Sequence, residues 1–238
     1  MTSPPASGEH STGSNGRSGA PRVALVGWLV VTAVQIALSF AARSAGGDGG
    51  GDGDAFYRYD LAVSSVILYG LLIGLTVWIA SSYGRAGEAL GLRRFELRWL
   101  WATFGLVIAS AVVAQALEPV LHAGEEQGFS PDVWRADRAT AFAVNAVAVS
   151  TIGPFAEELF YRGLGVRVLS AFGAVVAVGG TAILFGVAHG IPVALPPLVF
   201  LALGLAWVRL RSGSVWPGVI AHSAFNGLGV TYTYFSLQ

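Results

Sequence analysis

Long apolar runs alternate with short polar breaks along this chain. Seven runs approach the ~20 largely apolar residues that a bilayer-crossing helix needs. They cover about 23–42, 61–83 and 99–117, one opens near Thr140, and the rest cover 174–188, 193–210 and 215–235. A helix closes its own backbone hydrogen bonds, as hydrocarbon surroundings demand. The pattern therefore predicts an all-α, polytopic helical membrane protein with about seven transmembrane helices. Between the runs, residues 1–20 are rich in Ser, Gly and Pro and read as a disordered tail. Residues 45–54 are rich in Gly and Asp and read as a flexible loop. Residues 93–101 mix Arg with aromatic side chains and read as an interfacial anchor leading into the third run. The first run is longer than the apolar region of a signal peptide, and no convincing cleavage site follows it.

Composition strengthens this picture. Hydrophobic residues make up 54% of the 238 and charged residues only 12%, where a soluble domain carries roughly 25% charge. The formal net charge is zero, so no nucleic-acid partner is expected. The absence of Cys excludes disulfides, Cys-ligated zinc, iron–sulfur clusters and thiol nucleophiles. All fourteen basic residues are Arg. With the N-terminus placed in the cytoplasm, ten Arg fall in inner segments and four in outer ones, so the positive-inside bias favours that orientation. The expected location is the cell membrane, multi-pass.

Ionisable residues inside apolar stretches are costly and mark functional sites by default. Three clusters qualify. Glu157, Glu158 and Arg162 continue the fourth run without a clear stop. Glu158 and Arg162 are four apart and share a helix face, whereas Glu157 points about 100° away and lacks a partner at that spacing. The bland alternative puts both carboxylates at a helix end, in headgroups or water. His189 ends the fifth run just before Gly190, where it could simply cap the helix. His222 and Asn226 share one face of the seventh run. They offer two donors to one point, or else interhelical hydrogen bonds worth about 0.6 kcal/mol each. If an antiparallel hairpin turns at Gly173, midway between 157 and 189, Glu157 and His189 come level. His222 matches that depth less well.

A carboxylate, two imidazoles and an amide converging in a membrane suit hydrolysis. Glu157 with His189 would activate water, and His222 with Asn226 would stabilise an oxyanion. Two His and one Glu also form an accepted catalytic zinc set, here Glu157, His189 and His222. Spacing alone neither demands nor excludes the metal. A proton-relay transporter and a non-catalytic scaffold are the rivals from other classes. Transporters often show internal repeats, and none is visible here.

The motifs EELFYR at 157–162, FGVAH at 185–189 and HSAFN at 222–226 together resemble the CPBP family. These are the CAAX-processing and bacteriocin-processing intramembrane proteases, also called the ABI family. The flanks RSGSVWPGVIAH at 211–222 and LGLRR at 90–94 share the likeness. The resemblance implies a protease core at 139–238, following N-terminal helices and loops at 21–138 and the tail at 1–20. It implies Glu157 as the general base assisted by His189, Glu158 and Arg162 as supports, and His222 with Asn226 as the oxyanion hole. Phe185 would pack beside the site. The family has been described both as metal-dependent and as using glutamate alone. The favoured expectation is no required cofactor, with zinc as the alternative. The substrate expected is a membrane-associated or lipidated peptide or protein within the lipid bilayer. The alternative function is a membrane scaffold or bacteriocin self-immunity protein. The Cys-free, all-Arg composition and short length fit a prokaryotic member.

Overall fold

The computed structural model describes residues 20–45, 55–123 and 133–237. The expected tail at 1–20 and loop at 45–54 lie outside these residues, except for Ala20 and Ala45. Eight helices make up the described residues, joined by short turns, and no strand occurs among them. They are α1 (Ala20–Ala45), α2 (Tyr59–Ala80), α3 (Ala86–Leu90), α4 (Arg98–Leu121), α5 (Ala136–Phe172), α6 (Ala174–Ala188), α7 (Leu195–Ser212) and α8 (Trp216–Ser236).

Five of them, α1, α2, α4, α5 and α7, are long and apolar enough to cross a membrane. The other two of the expected seven are present as helices but differ in kind. α6 has 15 residues, about 22 Å at 1.5 Å per residue, against a hydrocarbon core of ~30 Å. α8 has 21 residues but interrupts its apolar positions with His222, Asn226, Thr231 and Thr233. The short α3 lies between α2 and α4 and was not foreseen as a helix.

The outer surface is apolar. Val63, Ile67, Leu71 and Trp78 of α2 all point outward, as a helix hydrophobic on all sides does in lipid. Inside, α5 is the central element and touches α1, α2, α6, α7 and α8. Its packing depends on glycine at 163 and 165. A Cβ at Gly165 would stand 2.7 Å from Cζ2 of Trp28, and one at Gly163 would stand 3.1 Å from the Leu90 carbonyl oxygen. Trp28, fully buried, donates from Nε1 to the Phe160 carbonyl at 3.2 Å. α5 turns into α6 at Gly173, where φ is +101°. That is the hairpin turn the sequence placed there, in a conformation that disfavours any side chain.

α5 is not a uniform α-helix. It widens into π-helix at Ala148–Ile152 and again at Glu158–Gly165. Such widenings occur often at functional sites. The first has a local cause. Gly153 donates its N–H to the Ala148 carbonyl, five residues back. In that register Val149 would accept from residue 154, which is Pro and has no N–H. The Val149 carbonyl is left for another donor.

Candidate active site

All eight residues of the second π stretch are buried, Glu158 and Arg162 among them. Their side chains are fully enclosed and pair at 3.1 Å between Arg162 Nη1 and Glu158 Oε1. Arg162 also donates from Nη2 to the Ala202 carbonyl of α7 at 3.3 Å. Its guanidinium carbon lies 4.3 Å from the ring centre of Phe185. A charge removed from water needs such compensation, because an unpaired one costs several kcal/mol.

The same Glu158 oxygen meets His222 Nδ1 of α8 at 3.2 Å. Glu158 accepts, so Nδ1 carries the proton. The contact is close because α8 carries Gly218 one turn before His222. A Cβ at Gly218 would stand 2.6 Å from Glu158 Oε2. His222 Nε2 faces the neighbouring carboxylate, 3.8 Å from Glu157 Oε2. With Arg162 engaged by Glu158, Glu157 has no guanidinium within ion-pair distance among the described residues. Its side chain is 18% exposed, whereas Glu158 is fully enclosed. The two adjacent carboxylates therefore occupy different environments. One is locked in a buried pair, and the other is open at the edge of the cluster.

Phe185 separates the two histidines. Its buried ring lies 4.6 Å from that of His189 and 5.5 Å from that of His222. His189 donates from Nδ1 to the Phe185 carbonyl at 2.8 Å, which leaves Nε2 with its lone pair in the neutral ring. His189 forms no ion-pair contact with Glu157 or Glu158. Of the two histidines, His222 is the one that meets the carboxylates.

Asn226, one turn beyond His222, donates from Nδ2 to the Val149 carbonyl at 3.0 Å. This is the carbonyl that Pro154 leaves unpaired. One amide hydrogen of Asn226 is used there and the second stays available. Two phenols complete the surroundings. Tyr69 of α2 approaches the backbone at Gly153, where a Cβ would stand 2.8 Å from its hydroxyl. Tyr161 donates to Gln35 Oε1 of α1 at 3.2 Å. Both phenols lie within electrostatic range of Glu157.

Glu157, Glu158, Arg162, His222 and Asn226 are thus drawn to the α5–α8 contact, with His189 beside them across Phe185. The sequence reading missed Gly218, the pairing of Trp28 with Gly165, and Tyr69. For Gly218 the sole signal was its place in the flanking run WPGVIAH. Trp28 and Tyr69 carry no local signal, since their relation to α5 exists only in three dimensions. Among the described residues no group of three or more His, Asp or Glu is placed to hold a metal ion. The set Glu157, His189 and His222 is not gathered as ligands.

An all-helical bundle with apolar outer faces and a buried Glu–Arg–His cluster defines a multi-pass membrane protein with a candidate intramembrane site. Residues 139–228 match the family model described as type II CAAX prenyl endopeptidase Rce1-like. The match covers less than half of the chain, and over that stretch the chain is similar to that family. No curated protein and no solved structure matches the chain.

Proposed function

We propose that the protein is an intramembrane endopeptidase that cleaves a membrane-associated or lipidated peptide or protein. The observation that carries this reading is the unequal pair Glu157 and Glu158. Arg162 and His222 hold Glu158 through one carboxylate oxygen, Oε1, inside the bundle, while Glu157 stands at the accessible edge.

On this reading Glu157 takes a proton from water, and the hydroxide attacks the scissile carbonyl carbon. The carbonyl oxygen becomes an oxyanion, and the C–N bond then breaks. Glu157 returns the proton to the leaving amine, so the products are a carboxylic acid, which keeps the other water proton, and an amine. His189 helps hold the water through Nε2, free because Nδ1 is engaged. His222 donates to the oxyanion from Nε2. Since Nδ1 already donates to Glu158, this donation uses the doubly protonated ring. The remaining amide hydrogen of Asn226 is the second donor. The reading needs no metal. It also takes α6 and α8 as membrane-crossing, for seven spans in all, with the N-terminus in the cytoplasm.

The test compares termini of membrane proteins by mass spectrometry in cells carrying wild type or Glu157→Gln at matched expression. New termini confined to wild type are expected, with a loss of at least ~100-fold in the variant. Purified activity should survive dialysis against a chelator. Identical termini with both proteins inserted and folded would overturn the protease reading and leave a scaffold or immunity role. Loss of activity on chelation, restored by zinc, would overturn the metal-free part.

A further inference from the structure

A second cluster lies at the end of the bundle that carries the start of α1, away from the site above. Here the segment after α3 locks onto the turn between α7 and α8. Val215 donates its N–H to the Gly91 carbonyl at 3.0 Å. Ser214 Oγ donates to the Arg93 carbonyl at 2.7 Å, and Arg93 Nε donates to the Gly213 carbonyl at 2.6 Å. Gly91 adopts φ +74°, and Arg209 of α7 lies face-on against it, with Nη2 2.5 Å from where a Cβ would stand.

Arg209 is only 9% exposed, and its Nε has no hydrogen-bond partner. No carboxylate pairs with it among the described residues. The charged groups that act on it are two further guanidiniums, Arg93 and Arg167. Arg167 lies over the Tyr83 ring at 5.2 Å and borders a cleft of about 480 Å³ that Arg22 also lines. The acidic residues at this end, Glu88 and Glu96, are taken up by Arg85 and Arg98. The C-terminal dipole of α7 favours a cation at Arg209, but by only ~0.3–1 kcal/mol. That is small beside the cost of a buried charge flanked by like charges.

From this we infer that Arg209, Arg167 and Arg93 form a binding site for a phosphate group. The chemistry is that of an anionic phospholipid headgroup or of free phosphate. Arg suits either, because its planar fork matches phosphate oxygens. The cluster lies at a helix-bundle end, where Arg167 borders the cleft, and the ends of spanning helices are the level at which headgroups would meet it. The site is independent of the protease reading.

The test measures thermal unfolding of the full chain in phosphatidylcholine nanodiscs, with and without phosphatidylglycerol, and separately with inorganic phosphate. Phosphatidylglycerol should raise Tm of the wild type by about 5 °C. Arg209→Gln should lose that shift while being no less stable than wild type in phosphatidylcholine alone, because it removes an uncompensated charge. Arg167→Gln, at an exposed position, should reduce the shift and decides the matter should Arg209→Gln not fold. A shift with phosphatidylglycerol alone identifies the headgroup as ligand, and an equal shift with inorganic phosphate identifies the free anion. No shift with either probe, or a full shift in both variants, would overturn the site. So would an Arg209→Gln protein less stable than wild type in phosphatidylcholine alone, since that marks a purely structural cation.

Discussion

Replacing Arg162 by Met tests whether the enclosed ion pair holds the candidate site together. The substitution keeps an unbranched apolar stem of similar reach and removes the guanidinium. Glu158 then loses a cation at 3.1 Å, an attraction of ~5 kcal/mol at an effective dielectric constant of about 20. The Ala202 carbonyl loses a donor at 3.3 Å, worth about 1 kcal/mol. Protonation of Glu158 recovers part of the deficit, so the net cost falls near 3–5 kcal/mol, as for other buried pairs broken on one side. For a domain of this size that corresponds to a Tm lower by roughly 10 °C, measured by thermal unfolding of wild type and variant in the same detergent. The double variant Glu158→Gln with Arg162→Met removes both charges and should regain most of the loss. A single variant within ~1 kcal/mol of wild type would refute the argument. So would a double variant no more stable than the single, because the penalty assigned to the orphaned carboxylate would then lie elsewhere.

Gly218→Ala places a methyl 2.6 Å from Glu158 Oε2. It should cost ~1–3 kcal/mol and lower proteolytic turnover by displacing the carboxylate from His222. A variant with unchanged stability and turnover would show that the carboxylate has room to move. Asn226→Ala leaves the Val149 carbonyl unpaired and should cost ~1–3 kcal/mol, read by thermal unfolding even in a Glu157→Gln background. A loss of turnover without a loss of stability would show that the bond to Val149 carries no structural weight.

Much of the helical framework was legible because a membrane helix has to be apolar over its whole length. The runs at 61–83 and 193–210 became α2 and α7, with each end shifted by two or three residues. Gly173 was readable as a turn for a comparable local reason. The π stretches were not legible, since they depend on where Pro154 meets a backbone register and on which neighbour rescues Val149. In the site, the Glu158–Arg162 pair followed from a four-residue spacing. The link from Glu158 to His222 spans 64 positions, and no spacing rule reaches that far. Gly218 belongs to the same class, because its missing side chain matters only once α8 lies against α5. The expected partnership of Glu157 with His189 followed from equal distances to a turn. That argument sets depth along a helix and says nothing about rotation around it, and rotation is what turned His222 toward the carboxylates.

The unpaired carbonyl of Val149 has a consequence for how the protein is assembled. α5 emerges from the ribosome well before α8 and enters the bilayer with one backbone oxygen that no residue of its own helix satisfies. In hydrocarbon that oxygen is a standing penalty, relieved in the described structure by Asn226. The helix bearing Glu157 therefore reaches its settled form only after α8 has been synthesised and has docked. The same docking step delivers His222 to Glu158. Completion of the backbone and assembly of this cluster are one event, so a chain caught partway through synthesis holds its carboxylates without the imidazole and amide that α8 brings.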